Sequence, residues 1–164
     1  MADVLRFQLD DASWCLDFSA AASRVMYAHA QVGRGSHESV GQLYTRDLTQ
    51  ATVCIDHATW MKPKLASWAR VRFDPKKALV ERVALFEQGL HCVGIWHTHP
   101  EPCPTPSGED KTLARDYANS AKSQLDGIVF VIVGTLAHPS AYNVWVDDGR
   151  KLLVARRVAV KNLP

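Results

Sequence analysis

Apolar and polar positions change period several times along the chain, and each change marks an element. Val4 to Leu9 alternates and stops at Asp10-Asp11, a turn signal, so it predicts a strand with Trp14 to Phe18 as its hairpin partner. Ser19 can cap a helix over Ala20 to Val32, with Val25, Met26 and Val32 near one face and Gly33 as the stop. Gly33-Arg34-Gly35-Ser36 reads as a loop, and two strands are expected after it, Ser39 to Asp47 and Thr52 to Met61. Lys62 to Asp74 has no period and is basic. Pro75 opens a second helix, Lys76 to Gly89, in which Leu79, Val83, Phe86 and Leu90 recur at helical spacing. The apolar run Cys92 to His99 predicts a buried strand. Pro100 to Pro106 holds four prolines and reads as loop, and a third helix follows from Gly108 to Ala121. Ile128 to Gly134, Ala141 to Val146 and Leu152 to Val160 complete the strands.

Strands separated by helices, with hairpin-like pairs at both ends, predict an α/β (α+β) fold: a mixed central sheet flanked by about three helices. The 164 residues suit a single domain over 1–164, large enough to bury a core without staples. A hydrophobic share of 47% and a charged share of 22% exclude a disordered tail or a coiled coil. The net charge of +2 gives no basic field for nucleic acid, and no apolar run is long enough to cross a membrane. The N-terminus carries acids where a signal peptide would be basic, so a cytoplasmic protein is expected. Cys15, Cys54, Cys92 and Cys103 form no C-x-x-C pair and are expected to be free thiols.

Chemistry concentrates in Gly94-Ile95-Trp96-His97-Thr98-His99-Pro100 and in Ser107-Gly108-Glu109-Asp110. A strand period of two turns His97 and His99 to one side, with Cα atoms about 6.6 Å apart. Pro100 ends the strand, so the pair faces a cleft, and a carboxylate at the start of the next helix can swing back to it. Two histidines and a carboxylate with one open position form the ligand set of a catalytic zinc. Ser107-x-x-Asp110 also reads as a plain capping box, and a lone H-x-H as ordinary strand polarity. The combined pattern arises by chance in roughly one such chain in a thousand, and a cap and a metal site can coexist. A zinc hydrolase also needs a general base. Of Glu38, Glu81, Glu87, Glu101 and Glu109, the helical pair reads as a solvated face and the last two as loop acids. Glu38 stands apart, between a glycine-rich loop and a strand.

On these residues the whole chain resembles a JAMM metalloprotease, the catalytic branch of the MPN-domain family. Glu38, His97-Thr98-His99-Pro100, Ser107 and Asp110 match that family's pattern of an upstream glutamate, H-[ST]-H-P, seven residues, serine, two residues and aspartate. Trp96 and the proline-rich loop are most similar to the small bacterial members. The match at Glu38 is looser than at the histidines, because Ser39-Val40-Gly41 departs from the family's usual small residues.

The resemblance implies one zinc ion per chain on His97, His99 and Asp110. It implies Glu38 as the base that moves a proton from water to the leaving amine, and Ser107 as a group holding the water or the oxyanion. The implied reaction is hydrolysis of the amide after the C-terminus of a ubiquitin-like protein, either from a conjugate or from a precursor. The size resembles deconjugating peptidases of antiphage operons, which carry E1- and E2-like partners. A hydrolase processing sulfur-carrier proteins and a non-enzymatic MPN scaffold are the alternatives. Trp96, Lys62, Lys64, Arg70 and Arg72 are candidate substrate contacts, the last four from a basic segment that otherwise reads as a solvated face. His29, His57, His91 and His138 read as structural or surface groups, and Cys103 as a loop thiol without a role. With no long insertion near the site, an extended tail along a sheet edge is expected, with glycine before the scissile bond.

Overall fold

The run Ile128–Val133 is wholly buried because both faces of its strand are covered, and its side chains divide between two cores. Val129, Val131 and Val133 join one cluster with Phe7, Phe18, Met26 and Trp96. Ile128, Phe130 and Ile132 join the other with Ile95, Ala114 and Ala118. The computed structural model of the chain describes residues 4–63, 66–67, 70–71 and 74–160.

The elements run β1 (Leu5–Leu9), β2 (Cys15–Phe18), α1 (Ala20–Ala28), β3 (Val40–Thr45), β4 (Thr52–Ile55), β5 (His57–Ala58), β6 (Ala66–Ser67) and β7 (Arg70–Val71). They continue with α2 (Pro75–Phe86), β8 (His91–Thr98), α3 (Gly108–Ala121), β9 (Ile128–Val133), β10 (Tyr142–Asp147) and β11 (Leu152–Val158). Among the described residues nine strands form one sheet in the order β4-β2-β1-β11-β10-β9-β8-β3-β5. β8 pairs parallel with β9, and β2 with β4, while the other pairs are antiparallel, so the sheet is mixed as expected. No helix among the described residues is long and apolar enough to cross a membrane.

β8, α3 and β9 form the unit that matters for chemistry. Parallel neighbours require a crossover, and α3 supplies it by packing Ala114 and Ala118 on the sheet. The crossover starts at the carboxyl end of β8, where clefts in α/β sheets form. Gly134 admits the proline-rich loop to this edge. A Cβ there would lie 2.7 Å from the Glu101 and Pro102 carbonyls, and the Thr135 N–H bonds Glu101 O at 3.0 Å.

Several expectations are corrected, among them the strand Thr52 to Met61, which divides into β4 on β2 and β5 on β3. α1 stops at Ala28, five residues before Gly33, because the chain tightens into turns from His29 onward, and Val32 is 64% exposed rather than on a buried face. Lys62 to Asp74 is not wholly irregular, since β6 and β7 pair antiparallel within it. The apolar stripe of α2 is the larger departure. Leu79, Val83 and Phe86 are 55%, 53% and 63% exposed, and only Ala78 of this helix is buried. Glu81, expected on a solvated face, anchors α2 instead. Its Oε1 accepts from Gln42 Nε2 at 2.9 Å, Tyr44 OH at 2.7 Å and Thr59 Oγ1 at 2.6 Å. Arg82 adds a bond to Gln42 Oε1 at 2.7 Å. Polar contacts therefore dock the helix, and its apolar stripe is left beside a cleft.

Candidate metal centre

β8 brings His97 to the α3 side of the sheet, where its ring packs 5.3 Å from that of Phe130 and is 3% exposed. His99 follows two residues on and keeps strand pairing through its N–H to Val133 O at 3.0 Å. The two Nε2 atoms come within 3.0 Å. Asp110 enters from the first turn of α3, with Oδ1 3.1 Å from His97 Nε2 and Oδ2 3.6 Å from His99 Nε2.

The capping box is present as well. Ser107 Oγ accepts from Asp110 N at 3.1 Å, and Asp110 Oδ2 accepts from Ser107 N at 2.7 Å. The cap does not compete with the cluster. It holds the carboxylate so that Oδ1 faces the histidines.

Ligand atoms of His97, His99 and Asp110 all lie within 4.8 Å of one another, in a half-buried setting open to a cleft. Two imidazole nitrogens and one carboxylate oxygen at this separation suit a zinc ion, with room for a further ligand on the cleft side. Glu101 presents Oε2 3.4 Å from His99 Nδ1, as outer carboxylates do behind metal-bound histidines. Cys103 is exposed and lies outside the cluster.

Glu38 ends the loop before β3, and Val40 pairs with His97, so the strand ladder brings this glutamate to the histidines. Its side chain is 7% exposed and Oε1 lies 3.9 Å from His99 Nε2, too far for a hydrogen bond. Burial pushes its carboxyl up to about 7, and the charges of Asp110 and Glu101 add to the shift. Burial also lowers the His99 pKa, helped by His97, which keeps this imidazole neutral and available as a ligand below the usual histidine range. Burial would raise Asp110, but bonds from His97 and Ser107 outweigh it and hold the carboxylate ionised.

The Glu38 shift has a consequence for stability. The folded, metal-free protein binds this proton more tightly than the unfolded chain, so stability falls as pH rises from about 4.5 to about 7 and the deficit then stays constant. Glu38→Gln should therefore stabilise the metal-free protein by about 3 kcal/mol at pH 8 and by little at pH 4.5. Thermal melts at the two pH values check this, and equal gains at both would contradict it.

The cleft runs from Glu38, His97, His99 and Asp110 between α2 and α3, past Leu79, Val83 and Phe86. Helical spacing signalled this stripe, but the pattern cannot say whether such a face meets a core or a cleft. Trp96 is not a substrate contact. It is fully buried on the opposite face of β8 from His97, and its Nε1 donates to Thr59 O at 2.8 Å. Gly41 makes way for that indole, because a Cβ there would collide with both Trp96 and Thr59. Lys62 is exposed, Arg70 lies in β7, and Lys64 and Arg72 fall outside the described residues. His29 stacks on Trp60 with ring centroids 5.0 Å apart, and His91 and His138 pack edge-on against Phe86 and Tyr142, in keeping with structural or surface roles.

Fold and site together define an α/β domain of MPN type, with a His-His-Asp cluster at a strand end and a buried glutamate opposite. The chain belongs to the prokaryotic homologues of the JAB domain, whose pattern matches residues 19–147. A curated relative, 29% identical over 107 residues that make up 63% of this chain and 67% of its own, is the CD-NTase/cGAS isopeptidase of Pseudomonas aeruginosa (strain BWHPSA011 / Pa011). The solution structure of protein DSY2949 from Desulfitobacterium hafniense is 20% identical, with a TM-score of 0.56 over 82% of this chain and 84% of that one. That likeness concerns the fold alone.

Proposed function

We propose that this protein is a zinc-dependent isopeptidase. It hydrolyses the amide formed by the C-terminus of a ubiquitin-like modifier, or of a protein conjugated in the same way, within an antiphage conjugation system of the cytoplasm. The observation that carries the reading is the convergence of His97, His99 and Asp110 within 4.8 Å of one another, with the buried Glu38 carboxyl 3.9 Å from His99. The isopeptidase relative supports the same reading.

His97, His99 and Asp110 would hold a zinc ion, which would supply Lewis-acid chemistry toward water and the scissile carbonyl. The chain's own groups do the rest. Glu38, raised towards neutrality by burial, takes the proton of the attacking water and delivers it to the leaving amine. Ser107 Oγ accepts the Asp110 N–H, which leaves its own proton free to be donated to the developing oxyanion. The modifier's body rests on the exposed Leu79, Val83 and Phe86, and its tail follows the cleft to the metal ligands.

The test uses a ubiquitin-like protein, or the C-terminal tail of a nucleotidyltransferase, fused to a reporter through the scissile amide. Zinc-loaded protein should release the reporter, and a bulky residue in place of the final glycine should cut kcat/KM strongly. Phe86→Asp should raise KM with little change in kcat, because that side chain is remote from the reacting atoms. Equal cleavage of unrelated unfolded peptides would mark a general peptidase. Zinc binding without any hydrolysis would favour a scaffold.

A further inference from the structure

Thr98 stands between the two histidines but faces the other side of the sheet, and its side chain is fully buried. Its Oγ1 accepts the Ser39 N–H at 2.9 Å and donates to Gln31 Oε1 at 3.1 Å. Gln31, 6% exposed, lies just beyond α1 and uses its Nε2 to hold Ser36 O at 3.3 Å. The Thr98 N–H returns a bond to Ser39 O at 3.0 Å. Three segments thus meet at one buried hydroxyl: the end of the α1 region, the residue after Glu38, and the histidine strand.

The loop between them has little packing of its own. Val32 to His37 is exposed throughout, and an added Cβ at Gly33 or Gly35 would meet nothing within 4 Å. Glu38 follows this loop, is buried, and has no hydrogen bond holding its carboxyl to His99. The β3–β8 ladder begins only at Val40, so the place of Glu38 depends on how the segment just before that strand is held. We infer that Gln31 is the positioning residue for Glu38, clamping the Ser36–Ser39 segment to Thr98 so that the carboxylate stays aimed at the metal ligands. Gln31 acts from the face of the sheet opposite the cleft, so it touches neither substrate nor metal. The effect on turnover rests on Glu38 being the base, whereas the clamp itself does not.

The test compares Gln31→Leu, Thr98→Val, Thr98→Ser and the Gln31→Leu/Thr98→Val pair in the full zinc-loaded chain, on the ubiquitin-like fusion substrate. A misplacement of about 1 Å at a reacting group costs about 10²-fold in rate, so kcat should fall by about that factor in Gln31→Leu. KM should stay within about twofold and zinc should remain stoichiometric, because neither cleft nor ligands change. The double variant should be no worse than the poorer single one, since both cut one network. Thr98→Ser, which keeps the hydroxyl, should behave as wild type. Hydrogen exchange gives the readout independent of catalysis: the Ser39 amide should exchange about tenfold faster in Gln31→Leu, as a locally opened segment does.

Unchanged exchange at Ser39, or unchanged kcat where the wild type is active, overturns the inference. So does a loss in which kcat and zinc content fall while KM rises, which marks a general structural role. If Gln31→Leu does not fold, Gln31→Glu serves instead, since it keeps an acceptor for Thr98 and loses only the donor to Ser36. If the wild type cleaves no fusion, the proposed activity fails while the exchange arm still decides the clamp.

Discussion

Glu38→Gln should lower turnover by about 10²–10⁴ while leaving the zinc content of the protein unchanged. The carboxyl sits 3.9 Å from His99 Nε2 and outside the cluster of three ligand atoms, so its loss removes a proton acceptor and no metal bond. Glutamine preserves volume at a buried position, which keeps the loss from reflecting a collapsed site. Metal analysis beside single-turnover kinetics separates the two effects. Wild-type turnover in this variant would move the base role to Glu101 or Glu109. Glu101 faces His99 Nδ1 on the far side of the ring and is 60% exposed, so it is badly placed to reach water in the cleft.

Asp110 allows the second large effect to be resolved into two parts, because its carboxylate does two jobs. Asp110→Asn keeps an oxygen that can accept the Ser107 N–H, so the cap on α3 persists, but it removes the charge facing His97. Zinc affinity should fall by about 10²-fold or more, and activity with it, while the metal-free protein loses at neutral pH the stability that the ionised carboxylate draws from His97. Asp110→Ala should lose zinc equally and also the bond that its carboxylate accepts from the Ser107 N–H, at a further cost of about 0.5–1.5 kcal/mol, while Ser107 Oγ keeps the backbone N–H of residue 110. The double variant His97→Ala/His99→Ala should abolish stoichiometric zinc. Elemental analysis and calorimetric titration check all three. Full zinc retention in the histidine pair would reject the site.

Much of this molecule was legible in its sequence because short-range physics governs the features concerned. The hairpin of β1 and β2 is announced by alternation and by Asp10-Asp11. α3 begins at a capping box that sequence spacing alone specifies and runs over Gly108–Ala121 as its pattern demands. The pair His97 and His99 shares a side because a strand has period two, and Pro100 ends that strand wherever it lies in the fold. The meeting of these residues with Asp110 and Glu38 was accessible through spacing and family resemblance, not through any local rule.

Other features depended on what the chain finds across space. The stripe Leu79-Val83-Phe86 has the periodicity of a core face, yet Glu81 docks the helix through Gln42, Tyr44 and Thr59 and leaves the stripe on the cleft. Trp96 looked available beside the histidines, but the alternation that exposes His97 to the cleft sends its neighbour into the opposite core. Gln31 carried no signal at all, because its partners Thr98 and Ser36 are 67 and 5 residues away and only the assembled sheet joins them. Periodicity and caps are properties of the backbone and its near neighbours, so the sequence by itself determined the elements and the chemistry of the strand end. Which apolar face stays open, which polar groups are buried together and what aims the base are contacts between distant segments, and only the tertiary structure decided them.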